Sequence, residues 1–313
     1  MKQKKTLALL LSLSLSMPLY AGSREDEKEL RIAASIGDNE IASKILDQGV
    51  DINGTNSLGK TALMMAIENG IMETTVLLLA RGADVNATTE AGCTALTFAA
   101  ENGYTAITAM LLERGADLYA RTNAGRDAMT TSARYGLTDM VEQLIYKGAD
   151  PNIGDNDKRT ALMHAAERGH PQTAELLIKS GAEIELRDNN GSTALIIAAD
   201  KGQTSVIDVL LKNGANIDTA DNDGATGLIW AVGQDHINTA AMLIRNRANV
   251  NKQDNDGITA LMEAASIRSA EMVELLLRNG AEISAKDSRG YTAADIAKKK
   301  RNKRVIELLK NSN

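Results

Sequence analysis

Residues 59–70 of the chain read GKTALMMAIENG, and residues 92–103 read GCTALTFAAENG. The same frame begins again at Gly125, Lys158, Gly191, Gly224, Gly257 and Gly290, and a degenerate first copy begins at Asp26. Successive starts are 33 residues apart, with no insertion between them. Self-similarity at a period of this length is typical of chains built from stacked structural repeats. The sequence therefore predicts a solenoid of nine units rather than separate globular domains.

Each unit carries the pattern of two short helices joined by a tight turn. The third residue of each frame from Gly59 onward has a side-chain oxygen suited to the N-cap of the first helix. These residues are Thr61, Thr94, Asp127, Thr160, Thr193, Thr226, Thr259 and Thr292. A glycine at position 70, 103, 136, 169 or 202 then ends the first helix in the left-handed conformation. An apolar second helix follows. Two helices of this length cannot bury their apolar faces alone, so neighbouring units must stack.

The period divides the chain into four segments. Residues 1–22 precede the repeats, residues 23–55 form an N-terminal capping unit, residues 56–286 form seven repeats, and residues 287–313 form a C-terminal capping unit. We number the units 1 to 9 from residue 23, and call the five residues before each capping residue the tip of the unit. The tips of units 5 to 9 begin with Asp155, Asp188, Asp221, Asp254 and Asp287, and aspartate closes turns through its own backbone.

The first segment has the three-part organisation of a secretory signal peptide. Three lysines precede an apolar, serine-containing run from Leu7 to Met17, and small residues follow at Ala21 and Gly22. The run has 11 residues, whereas a membrane-spanning helix needs about 17 to 25. We therefore expect cleavage after Ala21 and a mature chain with no stable membrane insertion. A buried N-terminal helix and an uncleaved anchor are the alternatives.

Composition restricts the core and the partners. Hydrophobic residues make up 43% of the chain but aromatic residues only 3%, so Leu, Ile, Val, Met and Ala must fill the interior. A single cysteine cannot form an internal disulfide. The net charge of −6, which becomes −9 when the three leader lysines are removed, argues against nucleic acid as a partner, because nucleic-acid-binding proteins have a basic surface.

The repeats resemble those of the ankyrin family over essentially the whole chain after the leader. The T-x-L-x-x-A-A-x-x-G frame and the G-A-D-x-N-A turn, as in residues 81–87, recur at that family's period. The resemblance implies an all-α ankyrin repeat solenoid of helix-turn-helix units with short β-turn or hairpin tips. It also implies a concave groove that binds other proteins. The chain lacks the histidine of the family's T-P-L-H motif, which removes an inter-loop hydrogen bond unless packing of the apolar substitutes compensates.

The sequence offers no constellation for catalysis, a metal ion or a cofactor. His164, His170 and His236 stand at no metal-type spacing to one another, to cysteine or to a carboxylate pair. Glycine-rich phosphate-binding motifs are absent. The D-N-D-G tips at 221–224 and 254–257 resemble half of a calcium loop but lack its remaining ligands, so turn formation explains them better. We expect no enzyme activity, because the repeats leave no inserted loop to carry a site.

Unit 4 departs most from the pattern, and we expect Arg126, Arg134 and Tyr135 to be exposed there. Arginine and tyrosine are enriched at protein interfaces. We therefore predict a partner-binding surface around this unit, comprising Phe98, Glu101, Asn102, Arg126, Arg134, Tyr135, Glu167, Arg168 and Lys201. Surface drift is the alternative for most of these positions. For Phe98, and for the equivalent residues of units 5 and 7, the alternative is packing between adjacent first helices.

Two other regions break the repeat. Unit 7 has Gly233 inside its first helix and carries Asp235 and Arg247 where glycine is expected. Glycine in a helix costs about 1 kcal/mol relative to alanine, and a left-handed non-glycine residue costs about as much, so this unit is expected to be the weakest. The basic run Lys298–Arg304 indicates either an anionic partner or membrane surface, or the polar outer face that a terminal unit needs.

These features favour a monomeric, non-catalytic scaffold that binds another protein through the groove. The leader, together with a resemblance to bacterial exported ankyrin proteins, indicates a periplasmic location, with extracellular release as the alternative. Two other functions remain open: a secreted effector that binds a host protein, and an accessory or inhibitor of an exported enzyme, for example one for oxidative stress.

Overall fold

A computed structural model describes residues 23–311 of the chain. Within them the chain forms eighteen helices, two in each unit. The first helices are α1 (Arg24–Ile36), α3 (Ala62–Glu68), α5 (Ala95–Asn102), α7 (Ala128–Arg134), α9 (Ala161–Arg168), α11 (Ala194–Asp200), α13 (Gly227–Gly233), α15 (Ala260–Ile267) and α17 (Ala293–Lys299). The second helices are α2 (Asn39–Asp47), α4 (Met72–Ala80), α6 (Thr105–Glu113), α8 (Thr138–Tyr146), α10 (Pro171–Lys179), α12 (Thr204–Lys212), α14 (Ile237–Arg245), α16 (Ala270–Arg278) and α18 (Lys303–Asn311). The predicted all-α repeat solenoid is confirmed, while the predicted leader lies outside the described residues.

The predicted helix starts are confirmed. Each first helix from α3 to α17 follows its predicted capping residue, whose side-chain oxygen accepts a hydrogen bond from the backbone N–H three residues later. In α5, α7 and α17 the residue at that position bonds back to the cap and completes a capping box. Because each such cap contributes about 1 kcal/mol, the repeated capping residue, which is threonine in all of these units except unit 4, starts the first helices from α3 to α17 in the same register.

The glycine between the two helices of a unit is required by conformation and by close packing. Gly70, Gly103, Gly136, Gly169 and Gly202 have φ values from 69° to 76°, in the left-handed region. A Cβ atom at Gly136 would lie 2.5 Å from Nδ1 of His170 in the next unit. The other ring nitrogen of His170, Nε2, lies 3.1 Å from the carbonyl oxygen of Arg134. The turn therefore also joins neighbouring units.

The core is a layer of small side chains between adjacent first helices. One column, meaning positions that are equivalent in every unit, has the buried Ser132 in unit 4 and fully buried alanines in the other units from 2 to 9: Ala66, Ala99, Ala165, Ala198, Ala231, Ala264 and Ala297. Each first helix packs against the first helix of the next unit along the whole array, with the second helices behind them. Alanine lets these helices approach closely, so the interior needs few large rings.

The tips are joined to one another by a ladder of hydrogen bonds. From unit 3 to unit 9, a backbone N–H of each tip donates to a carbonyl oxygen of the preceding tip, at 2.8 to 3.3 Å. The side-chain amides of Asn123, Asn156, Asn189, Asn222 and Asn255 add a second bond to the preceding tip. Short antiparallel bridges form at two tips, Ala220 with Thr226 and Gln253 with Thr259. These bonds link the loops without the missing family histidine.

Unit 7 adopts the strained conformations that its sequence predicts, but other units share them. Asp235 and Arg247 have φ values of 58° and 69°. Lys158, Arg268 and Arg301, in units 5, 8 and 9, are also left-handed, with φ values of 57° to 68°. Unit 7 is therefore distinguished by having two such residues together with Gly233 at the end of α13.

Candidate functional site

A groove lies between the tips and the first helices, and two adjoining cavities occupy it in units 5 to 8. The mixed cavity, of about 660 Å³, is lined by residues of both charges that include Arg159, Glu167, Asp200, Lys201 and Asp221. The acidic cavity, of about 560 Å³, is lined by residues that include Asp223, Asp254, Asp256 and Glu263. Trp230 lines both cavities.

The aspartate that opens each tip has two separate roles. Its Oδ1 atom accepts two backbone N–H bonds within the tip in all five units, as the turn interpretation predicts. Its Oδ2 atom is directed to other side chains. In unit 5, Asp155 Oδ2 lies 2.9 Å from Nε2 of His164, and in unit 7, Asp221 Oδ2 accepts a 2.7 Å bond from the Trp230 indole. These bonds position both rings in the wall of the groove.

His164 is a buried histidine whose neutral form is favoured by burial. It is 3% exposed, and burial lowers its pKa from the ordinary value of 6.5, against the opposing effect of the Asp155 carboxylate. A carboxylate only accepts hydrogen bonds, so Nε2–H is the donor to Asp155. Nδ1 then has no hydrogen-bond partner within the described chain and lies 4.0 Å from Glu167 Oε2.

The structure brings four of the predicted partner-binding residues together across unit boundaries. Arg134 Nη1 donates to Glu167 Oε2 at 3.1 Å, joining units 4 and 5. The Tyr135 hydroxyl donates to Glu101 Oε1 at 2.8 Å, joining units 4 and 3, and this bond raises the pKa of the phenol. Tyr135 is 49% exposed, so its ring is available to a partner.

Three predicted residues are less accessible than the sequence suggested. Phe98 is only 8% exposed, and the ammonium of Lys60 lies 5.0 Å from its ring centroid. The packing alternative therefore describes Phe98 better than a direct contact. Arg126 and Arg134 are half-buried rather than exposed. Arg134 is folded onto Glu167, to which it donates.

The remaining predicted residues lie at the exposed ends of the first helices. Asn102, the last residue of α5, donates to the carbonyl oxygen of Phe98 at 2.9 Å. Lys201 pairs with Asp200 at 2.9 Å. Arg168 lies 4.0 Å from Glu167. All three are exposed, and of these Lys201 lines the mixed cavity.

Several groove residues were missed by the sequence prediction. Arg159 donates to Asp188 of the next unit at 3.2 Å and lies 3.8 Å from Glu167, so it links the two units inside the mixed cavity. Trp230 and Glu263 belong to one column, four residues after each cap, whose members are Met65, Phe98, Thr131, His164, Ile197, Trp230, Glu263 and Ile296. The residue in this column differs between every two neighbouring units, and that variation was the available signal.

Comparison with protein families identifies the repeats. A model described as ankyrin repeats (3 copies) matches residues 30–122, 128–221, 180–254 and 228–313. The chain belongs to the ankyrin repeat family. Ankyrin repeats generally mediate protein–protein interactions and are typically non-catalytic. A comparison with curated proteins found no match.

The described part of the ankyrin array lacks two further features. No helix within residues 23–311 is long and apolar enough to cross a membrane. The same residues contain no group of three or more His, Cys, Asp or Glu side chains arranged to hold a metal ion.

Proposed function

We propose that this ankyrin protein is a non-catalytic scaffold that binds another protein through its groove. The observation that carries the proposal is the row of cross-unit bonds along the groove: Tyr135 to Glu101, Arg134 to Glu167, and Arg159 to Asp188. Each bond holds a long or aromatic side chain in one orientation before any partner arrives. Side chains ordered in this way lose less conformational entropy on binding, which favours affinity.

The experiment for this proposal compares two tyrosines of the same unit. Tyr135 occupies the position of unit 4 that corresponds to Lys201 of the mixed cavity, whereas Tyr146 is 85% exposed at the end of the second helix α8. The tagged chain is used to capture partners from an extract of its source cells, followed by mass spectrometry. Tyr135→Ala, alone and with Arg168→Ala, is expected to reduce capture of the partner by at least about tenfold, because aromatic anchors dominate interfaces. Equal capture by Tyr135→Ala and Tyr146→Ala would contradict groove binding.

We also propose that residues 1–22 export the chain to the periplasm. The support is the arrangement of lysines, the apolar run and the small residues at its end. Fractionation of cells expressing the full chain, with mass spectrometry of its N-terminus, is expected to find a periplasmic chain that begins at Gly22. An intact N-terminus in the cytoplasmic fraction would exclude export, and a chain found only in the medium would favour the extracellular alternative.

A further inference from the structure

One tip aspartate lacks the bond that the others make. The Oδ2 atoms of Asp155 and Asp221 are bonded to the rings of His164 and Trp230. The Oδ2 atom of Asp188 accepts a bond from Arg159, and that of Asp287 accepts a 3.0 Å bond from Arg289. Asp254 closes its own turn through Oδ1, at 2.9 and 2.8 Å, but no donor within residues 23–311 reaches its Oδ2 atom. The repeat itself therefore shows where a positively charged or N–H donor is missing.

The position that supplies the donor in units 5 and 7 is occupied in unit 8 by a second carboxylate, Glu263. Glu263 lines the same cavity as Asp254. Burial, and the nearby Asp254 carboxylate, raise the pKa of Glu263. Lys300 is close enough to favour the ionised form of Glu263, but it makes no ion pair with it. Two carboxylates thus share a partly buried space without a counter-ion.

The surrounding acidic cavity has the dimensions and walls of a binding site. Its volume is about 560 Å³, and no lysine or arginine lines it, in contrast to the mixed cavity. Asp223 and Asp256 are exposed at its edge. The Trp230 ring, held by its 2.7 Å bond to Asp221, forms one wall. An ordered indole face beside carboxylates attracts a cation both through the ring and through charge.

We propose that the acidic cavity binds an arginine side chain of the partner protein, with Asp254 and Glu263 accepting its N–H groups and Trp230 stacking against it. The proposal rests on the proposed groove function and specifies its partner chemistry. Arginine is assigned rather than lysine because a planar guanidinium can bond to two carboxylates while stacking on an aromatic ring. The occupant is therefore an arginine on the surface of the partner.

Trp230 makes the test direct, since it is the only tryptophan of the chain. Its fluorescence is followed while the full chain is titrated with an acetylated glycine–arginine peptide. The same peptide with citrulline in place of arginine keeps the shape and removes the charge. We expect a saturable change with the arginine peptide that weakens as salt rises, and an affinity at least about tenfold lower for the citrulline peptide.

Two matched variants distinguish binding in the acidic cavity from a general effect of negative charge. Glu263→Gln supplies an amide that can donate to Asp254, as Trp230 does to Asp221. It is expected to lower the peptide affinity by at least about tenfold while leaving the melting temperature equal or higher, which distinguishes loss of binding from unfolding. Asp157→Asn removes a charge at the position of unit 5 that corresponds to Asp223 and Asp256, outside both cavities. This control is expected to bind like the wild type.

Several results would overturn the assignment. Equal binding of the two peptides, or a fluorescence response unchanged in Glu263→Gln, would exclude a guanidinium site. An equal response to calcium or magnesium chloride would assign a metal ion instead. Self-association that disappears in Glu263→Gln would place the basic Lys298–Arg304 run of a second copy in the cavity. The tyrosine comparison remains independent, since a partner captured through Tyr135 but insensitive to Glu263→Gln would leave groove binding intact and reject only the arginine chemistry.

Discussion

Glycines of the same left-handed conformation differ in how closely the next unit approaches them. A Cβ at Gly136 would lie 2.5 Å from the His170 ring, whereas nothing lies within 4 Å of a Cβ at Gly148. The left-handed conformation costs a non-glycine residue about 1 to 2 kcal/mol, and crowding of a packed site adds about 1 to 3 kcal/mol. We expect Gly136→Ala to lower the free energy of unfolding, measured by urea denaturation, by about 2 to 5 kcal/mol. Gly148→Ala should lose only the contribution of the left-handed conformation, about 1 to 2 kcal/mol. Equal losses would show that the His170 contact is unimportant.

His164 makes stability depend on pH. Because burial lowers its pKa below 6.5, the unfolded chain binds the proton more readily than the folded chain. Stability is therefore complete above the unfolded pKa and falls as pH decreases from about 6.5 through the folded pKa. Asp155 and Glu167, which face the ring, oppose this effect, and Arg134 adds to it.

The pH prediction is checked with His164→Gln, whose amide can still donate to Asp155. Below pH 6.5 the free energy of unfolding of the wild type should decrease faster than that of the variant, so the advantage of histidine over glutamine shrinks as pH falls. Urea denaturation of both proteins between neutral pH and pH 5 measures the difference. Parallel curves over this range would mean that protonation of His164 does not affect folding.

Among the elements, the second helix of unit 7 offers a test of the predicted weak point. Arg247, just beyond α14, has a φ of 69°, while Arg245 is the last residue of that helix. Both are exposed. We expect Arg247→Gly to stabilise the protein by about 0.5 to 1 kcal/mol, because relief of the left-handed strain exceeds the conformational entropy that glycine loses on folding. We expect Arg245→Gly to cost about 1 kcal/mol. Hydrogen exchange should show slower exchange over residues 225–250 in Arg247→Gly, and uniform protection across the wild-type array would contradict the weakness of unit 7.

The elements were predictable where one local interaction decides each of them. The capping oxygen of Thr94 and the left-handed Gly103 act within their own turn, so the sequence predicts the start and end of α5 directly. Exposure was less predictable, because it depends on the neighbouring unit. Phe98 was predicted to belong to the partner-binding surface, with packing as the alternative, and the Lys60 side chain of unit 2 lies over its buried ring.

The candidate site was predicted only in part, because its residues come together between neighbouring units. The broken frame of unit 4 pointed to residues such as Tyr135 and Glu101, which are bonded across units. Glu263 was missed because unit 8 keeps its frame intact. Glu263 is unusual only in three dimensions, because it stands where the equivalent residues of units 5 and 7 bond to the tip aspartate, and Asp254 therefore lacks a donor.

For the molecule as a whole, contacts between neighbours determine how the array unfolds. First helices and tips join each unit to the next, as the packing of α11 on α13 and the bond from Asn222 to Asn190 show. In such arrays stability is approximately a sum of unit and nearest-neighbour terms. Opening of unit 7 therefore separates units 1 to 6 from units 8 and 9. Two units are too few to remain folded alone, since about three repeats are needed.

Unfolding in urea should consequently occur in two steps, and Trp230 in unit 7 reports the first. Its fluorescence should change at a lower urea concentration than most of the helical signal, together with about one third of that signal, because six of the eighteen helices belong to units 7 to 9. Arg247→Gly should move the two transitions closer together by strengthening unit 7. Coincident fluorescence and circular dichroism curves in the wild type would instead mean that the interfaces on either side of unit 7 are strong enough to keep all nine units in one cooperative transition.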